Sequence, residues 1–254
     1  MLFGRPALLR CSFATALLRL VRRVSSDHCS LVLAMGLLMW STACSTKPDS
    51  IPAAALSIRN GFWELQQDSQ KRMWYPDGQL YQKMELLDGQ RHGLWQVFNH
   101  GGQLTAQGNT RSGLRDGEWR FYYGDGRLFL ILNYASQPRK DEYLFISGFT
   151  IGNENGIYRR YYPDQSLEEQ GSYQGGILSG PLRHYYPNGQ LAWRGEFSQD
   201  LKSGLWEFYY PDGRLRRRAP YKAGKLDGEL INYDRQGRVL NRTLYRKGTK
   251  SDSV

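Results

Sequence analysis

Few residues in this chain have both the type and the spacing to do chemistry. Downstream of the apolar leader the histidines are His92, His100 and His184. None has a second His or a Cys at ligand spacing, so the sequence predicts no zinc site and no other metal site. No Gly-x-Ser-x-Gly elbow, His-Glu-x-x-His pair or phosphate-cradling Gly loop occurs. The recurring carboxylates Asp77, Asp125, Asp164 and Asp212 form a column, but each sits in a turn sequence where Asp bonds back to its own backbone. Asn188 and Gln236 replace it in other copies, so the column serves the turn. The expectation is a protein that is not an enzyme and takes no cofactor.

The cysteines suggest a different chemistry. Leu31 to Trp40 is an unbroken apolar run of ten residues. That is shorter than the roughly 20 needed to cross a bilayer and suits the h-region of an export signal. Arg19, Arg22 and Arg23 precede it, and Ser41-Thr42-Ala43-Cys44 follows. These residues resemble the lipobox of bacterial lipoproteins, in which the chain is cleaved before the Cys and the Cys is acylated. Ser41 departs from the Leu that this family prefers. The resemblance implies a leader over 1–43 and a covalent lipid on Cys44 as the only attached group. Cleavage would remove Cys11 and Cys29 and leave one thiol with no internal disulfide. An ordinary secretory leader with Cys44 incidental is the competing reading. Ser45, where an Asp would retain the protein at the inner membrane, implies the outer membrane facing the periplasm. Residues 44–60 are small, carry two Pro and show no period, so they read as a flexible tether.

The elements that follow must come from a repeat. Gly93, Gly117, Gly156, Gly180, Gly204 and Gly228 are spaced by 24, 39, 24, 24 and 24 residues. A turn column nine residues on runs Gly78, Gly102, Gly126, Gln165, Gly189, Gly213 and Gly237. The 39 is one period plus a 15-residue insertion near 135–155, which holds Arg139-Lys140-Asp141-Glu142 and the strand-like run Tyr143 to Ile146. Within a unit, Leu205 to Tyr210 reads as an aromatic strand, Pro211-Asp212-Gly213 as a turn, and Leu215 to Tyr221 as the return strand. The fold class is therefore all-β: an elongated antiparallel meander of seven 24-residue hairpins over 61–248, with a polar tail at 249–254.

Columns of large residues show what such a sheet could bury. Trp95, Trp119 and Trp206 stand two after the repeat Gly; Phe98, Tyr122, Tyr161, Tyr185 and Tyr209 stand five after it; Leu occupies the eleventh place. Places two and five differ in parity, so either the strand carries a bulge or both faces hold aromatics.

Tyr173-x-x-Gly176-x-x-x-Gly180 and Tyr221-x-x-Gly224-x-x-x-Gly228-x-Leu resemble MORN repeats, and the Trp, Tyr-Tyr and Asp-Gly columns resemble the MORN-variant subtype. The resemblance covers about residues 69–248. It implies a curved single-layer sheet and a role in binding proteins or lipid. Proteins of this subtype are often named as antitoxin components, which implies an immunity protein that neutralises a toxic effector.

Charge is unevenly placed. Residues 44–203 hold 17 basic and 17 acidic side chains, whereas 204–254 hold 12 and 6. The excess singles out Arg214, Arg216, Arg217, Arg218, Arg242, Arg246 and Lys247 as candidate binding residues. Export argues against nucleic acid, so an acidic protein or an anionic membrane surface is the expected partner. A solvated basic edge that keeps the last hairpin soluble accounts for the same residues. The sequence leaves the oligomeric state open.

Overall fold

The computed structural model describes residues 47–135, 144–146, 149–151 and 153–251. Cys44, the leader and part of the insertion lie outside the described residues. Nineteen strands form one antiparallel sheet in which each strand pairs with its neighbours along the chain, from Leu56–Ser57 to Thr249–Lys250. The seven expected hairpins are all present.

Each hairpin is closed by chemistry written in its turn. In Tyr210 to Arg214, the Gly213 N–H donates to the Tyr210 carbonyl at 2.8 Å and the Tyr210 N–H to the Arg214 carbonyl at 2.8 Å. Gly213 lies at φ 84°, which makes a three-residue loop with a left-handed last residue. The Arg214 N–H donates to Asp212 Oδ1 at 3.1 Å, and the same bond recurs at Asp77, Asp125, Asp164 and Asn188. The Asp column is thus a turn device. Gln165 occupies the Gly place at φ 71°, tied by its side chain to both backbone groups of Leu128 at 3.1 Å. Successive units join through two-residue turns such as Ala223-Gly224, at φ 48° and 78°, the type I′ geometry that suits twisted strands.

Every unit carries a register shift four to five residues after its repeat Gly, as between Val97 and Phe98 or Phe208 and Tyr209. The extra residue sits on the return strand, where Tyr209 opposes Leu215 after Phe208 opposes Arg217. The outgoing strand stays regular from Trp206 to Tyr209, its own shift coming earlier, where Glu207 opposes Arg194 but Ser203 opposes Glu196. Trp206 therefore shares a face with Phe208, at 6.3 Å, while the Tyr209 hydroxyl reaches Glu207 on the other face. The bulge and the two-faced aromatics are both real.

The core lies on the tryptophan face, in clusters around Trp95 and Trp119 and around Tyr158, Leu182 and Trp206. Trp119 is 0 % exposed and Trp206 2 %. The tyrosines at place five and their leucines pack half-buried on the opposite face, outside these clusters. A third cluster corrects the tether: from Pro48 the chain packs, with Ile51 and Ala55 buried against Trp74. Ser50 Oγ donates to the Gly78 carbonyl at 3.2 Å, so residues 48–58 cap the first hairpin. The tail also begins as structure, Thr249–Lys250 pairing with Tyr245 and Arg246.

The insertion leaves the register intact. Ile131 pairs with Arg159 and Leu130 with Arg160 across it, while Leu144–Ile146 and Phe149–Ile151 form a separate hairpin. Buried Asn153 fixes its return by donating to the Arg115 and Ala135 carbonyls at 3.1 and 2.9 Å.

Candidate functional site: two unlike sheet faces

On the tryptophan face, rings meet glycine backbone and cations. A Cβ on Gly108 would fall 2.4 Å from Trp119, and one on Gly195 2.2 Å from Trp206, so glycine is required for the indoles to lie flat on the sheet. Arg91, Arg115 and Lys202, two residues before the repeat Gly, lie 4.3, 4.3 and 4.2 Å from the ring centres of Trp95, Trp119 and Trp206. Where the unit has Leu182 or Leu230 in place of Trp, the overlying residue is Leu178 or Leu226. Burial holds the Lys202 ammonium below its ordinary range, and burial followed by the nearby Arg115 charge does so for Arg91.

The same face carries His184, within the strand Gly180–Tyr185. His184 stacks on Trp193 at 5.0 Å and 7°, and its Nδ1 lies 3.5 Å from Glu169. Glu169 also accepts from Tyr158 Oη at 2.8 Å and pairs with Arg160 at 3.3 Å. His100 stacks on Tyr75 at 3.7 Å, with Asp77 3.3 Å away. Among the described residues no group of His, Cys, Asp and Glu is placed to hold a metal ion.

The opposite face is ordered by register into rows that cross the strands. One row passes Arg72, Lys83, Gln96, Gln107 and Arg120. It continues through Ile131 to Arg159, Gln170, Arg183 and Arg194. Glu207, Arg218, Ile231 and Arg242 complete it. The neighbouring row on the tryptophan face passes Val97, Ala106, Phe121 and Leu130, then Arg160, Glu169, His184, Trp193, Phe208, Arg217 and Asn232. The first row thus holds eight cations, and the second holds two, Arg160 and Arg217.

Glu207 is the row's one acid and is buried. Burial alone would raise its pKa; hydrogen bonds from Arg194 and Tyr209 and the charges of Arg194 and Arg218 outweigh that and hold it low. Arg194 lies 2.6 Å and Arg218 3.2 Å from its oxygens. Above the row stand the Tyr column and below it the exposed side chains Leu94, Ile157 and Leu205.

A tyrosine ladder fastens one unit to the next. The hydroxyls of Tyr75, Tyr123, Tyr162, Tyr186 and Tyr210 donate, at 2.7 to 3.0 Å, to the carbonyl of Phe98, Tyr161, Tyr185, Tyr209 and Tyr233 respectively. The second Tyr of each Tyr-Tyr pair was visible in the sequence, but its partner was not.

The residues expected to bind do not form one patch. Arg214 lies at the turn edge, donating to the Arg235 carbonyl at 3.0 Å, and Arg216 is the bulged residue. Arg217 is on the tryptophan face, donating to Asn232 Oδ1 at 2.7 Å. Arg218 and Arg242 join the cationic row, Arg242 pairing with Glu229 at 3.1 Å. Arg246 ends the strand Val239–Arg246, opposite Thr249, and Lys247 is in a turn at φ 50°. Sequence reasoning passed over Arg159, Arg183 and Arg194, although Arg159–Arg183 and Arg194–Arg218–Arg242 recur at the 24-residue period.

An open sheet of like hairpins, each touching the ones beside it in the chain, defines a repeat array. Its kind is given by three segments, 115–135, 178–197 and 202–223, which match the MORN repeat variant family. The match covers about a quarter of the chain, and in those segments the hairpins carry the MORN-variant pattern. No curated protein matches the chain. A solved structure, the GtfA/B complex bound to UDP and GlcNAc, is similar over 51 % of this chain and 22 % of that one, at 15 % identity and a TM-score of 0.20. This chain spans less than a quarter of that chain, and a likeness so slight carries no inference.

Proposed function

We propose that this is a non-enzymatic repeat lipoprotein, anchored to the outer membrane through an acylated Cys44, that binds a protein partner in the periplasm. In its most concrete form it is an immunity protein that neutralises a toxic effector. The observation that supports a protein partner is the open face on which a row of arginines runs between tyrosines and exposed Leu and Ile. Tyr and Arg are the residue types that dominate interface hot spots. The test is to express the toxin-like product of the neighbouring gene in a host periplasm with and without this protein. Relief of growth arrest and a one-to-one complex are expected; arrest that persists removes the immunity reading. Labelled palmitate should enter the wild type and not Cys44→Ser.

A second reading is an envelope scaffold that meets anionic lipid through its last repeats. It is favoured by the exposed Leu240 and Leu244 on either side of Arg242. Co-sedimentation with anionic vesicles, lost at high salt and in Arg216/Arg217/Arg218 substitutions, would support it.

A further inference from the structure

We infer that the cationic row is the recognition element, and that its ligand is an acidic segment of a partner protein lying across the strands. This inference rests on the protein-binding reading and gives the chemistry of the segment recognised. Along fourteen paired strands the row holds eight cations and one acid, Glu207, which Arg194 and Arg218 already neutralise.

Half of the row's cations are paired, Arg120 with Glu118, Arg194 and Arg218 with Glu207, and Arg242 with Glu229; its middle is not. Among the described residues, Arg159 and Arg183 have no carboxylate within ion-pair distance, and they face each other across Gln170. Neighbouring strands lie about 4.8 Å apart, so Arg159 and Arg183 stand about 10 Å apart with Arg194 directly beside Arg183, and a chain of carboxylates lying over them relieves their repulsion. Guanidinium is also the cation suited to paired hydrogen bonds with carboxylate.

The flanks select the class of ligand. Two residues before the row, three outgoing strands present an exposed aliphatic side chain, Leu205 at 50 %, Ile157 at 46 % and Leu94 at 38 %, while Glu118, Pro181 and Glu229 hold that place in others. Two residues after it stands an aromatic, Tyr209, Tyr161 or Phe98. A single-stranded nucleic acid would use the rings and cations but not the aliphatic side chains. A membrane surface presents anions in two dimensions, whereas these cations form a line one side chain wide. Around Arg159 and Arg183, an acidic protein segment with interspersed apolar residues matches the unpaired guanidiniums, the flanking Ile157 and the tyrosines.

The test is fluorescence anisotropy with the full-length protein in detergent and a labelled Glu-Leu repeat peptide, against a Lys-Leu counterpart. The Glu peptide should bind, weaken with salt and bind more weakly by about tenfold to Arg159→Gln/Arg183→Gln, each exposed charge pair giving a few-fold. Arg159→Lys/Arg183→Lys should retain most of the binding, and Arg217→Gln on the other face should stay within about twofold of wild type. Circular dichroism of each variant establishes that the sheet is intact. No binding of the Glu peptide, or equal binding to the Gln variant, overturns the inference. So does tighter binding to anionic vesicles or to an oligothymidine. Because the probe is a defined peptide, the outcome is separable from toxin neutralisation: a row that binds it in a protein that protects no cell removes only the immunity reading.

Discussion

Gly195→Ala places one methyl group where the fold leaves no room. Its Cβ would stand 2.2 Å from Cδ2 and 2.3 Å from Cε2 of Trp206, against the ordinary carbon contact of about 3.5–4.0 Å. The ring cannot simply lift. It is held by Phe197 at 5.4 Å, Tyr221 at 6.0 Å and Lys202 at 4.2 Å, and its Nε1–H donates to the Glu196 carbonyl at 3.3 Å. Overpacking of this kind costs about 1–3 kcal/mol. Removing a strand glycine offsets about 0.5–1 kcal/mol of that through the unfolded chain. The net expectation is a loss of about 1–2 kcal/mol, or roughly 2–8 °C in Tm for a body of this size. Each unit contacts only its neighbours, so the weakened interface should also lower the steepness of urea unfolding followed by tryptophan fluorescence. The decisive control is Trp206→Leu, since Leu182 and Leu230 occupy that place in other units. Combined with Gly195→Ala it should show an interaction energy of about 1 kcal/mol in a double-mutant cycle. A Gly195→Ala protein as stable as wild type, with additive effects in the cycle, would refute the packing of indole on glycine.

Three further outcomes follow from the same geometry. Tyr186→Phe removes one rung of the hydroxyl ladder, the 2.9 Å bond to the Tyr209 carbonyl, and should cost about 1 kcal/mol in urea unfolding. Lys202→Gln takes the ammonium from above Trp206 and should cost about 0.5–1 kcal/mol, with a shift in tryptophan emission. Tyr158 is held protonated well above its ordinary range, first by burial and then by Glu169. The folded chain keeps that proton longer than the unfolded chain, so its contribution is complete below about pH 10 and falls as pH rises beyond it. Alkaline unfolding should therefore be flatter in Tyr158→Phe than in wild type.

Much of the fold was legible because turn chemistry repeats in the sequence. The Gly and Asp-Gly columns and the Tyr and Trp spacings place every hairpin, and the 39-residue gap locates the inserted one. The assignment of faces was not legible. A bulge on the return strand shifts pairing by one residue, and nothing in a single strand records which residue its partner offers. The arginines show the consequence. Arg216, Arg217 and Arg218 look like one cluster in sequence, yet they fall on a bulge, the tryptophan face and the cationic face. Arg159 and Arg183, isolated in sequence, become near neighbours in one row. The capping role of Ile51 and Ala55 was hidden for a related reason. A Pro-rich stretch without period gives no sign of the Trp74 surface it covers.

The division into a tryptophan face and an arginine face depends on register, and a cross-strand disulfide tests register most directly. Arg183 and Arg194 are direct partners on one face, while Trp193 points to the other. Directly opposed antiparallel residues have Cα atoms about 4.5–5.5 Å apart, within disulfide range. With Cys11, Cys29 and Cys44 replaced by Ser, Arg183→Cys/Arg194→Cys should cross-link on mild oxidation and Arg183→Cys/Trp193→Cys should not. The reverse result would mean a one-residue slip, which exchanges the two faces and removes the cationic row.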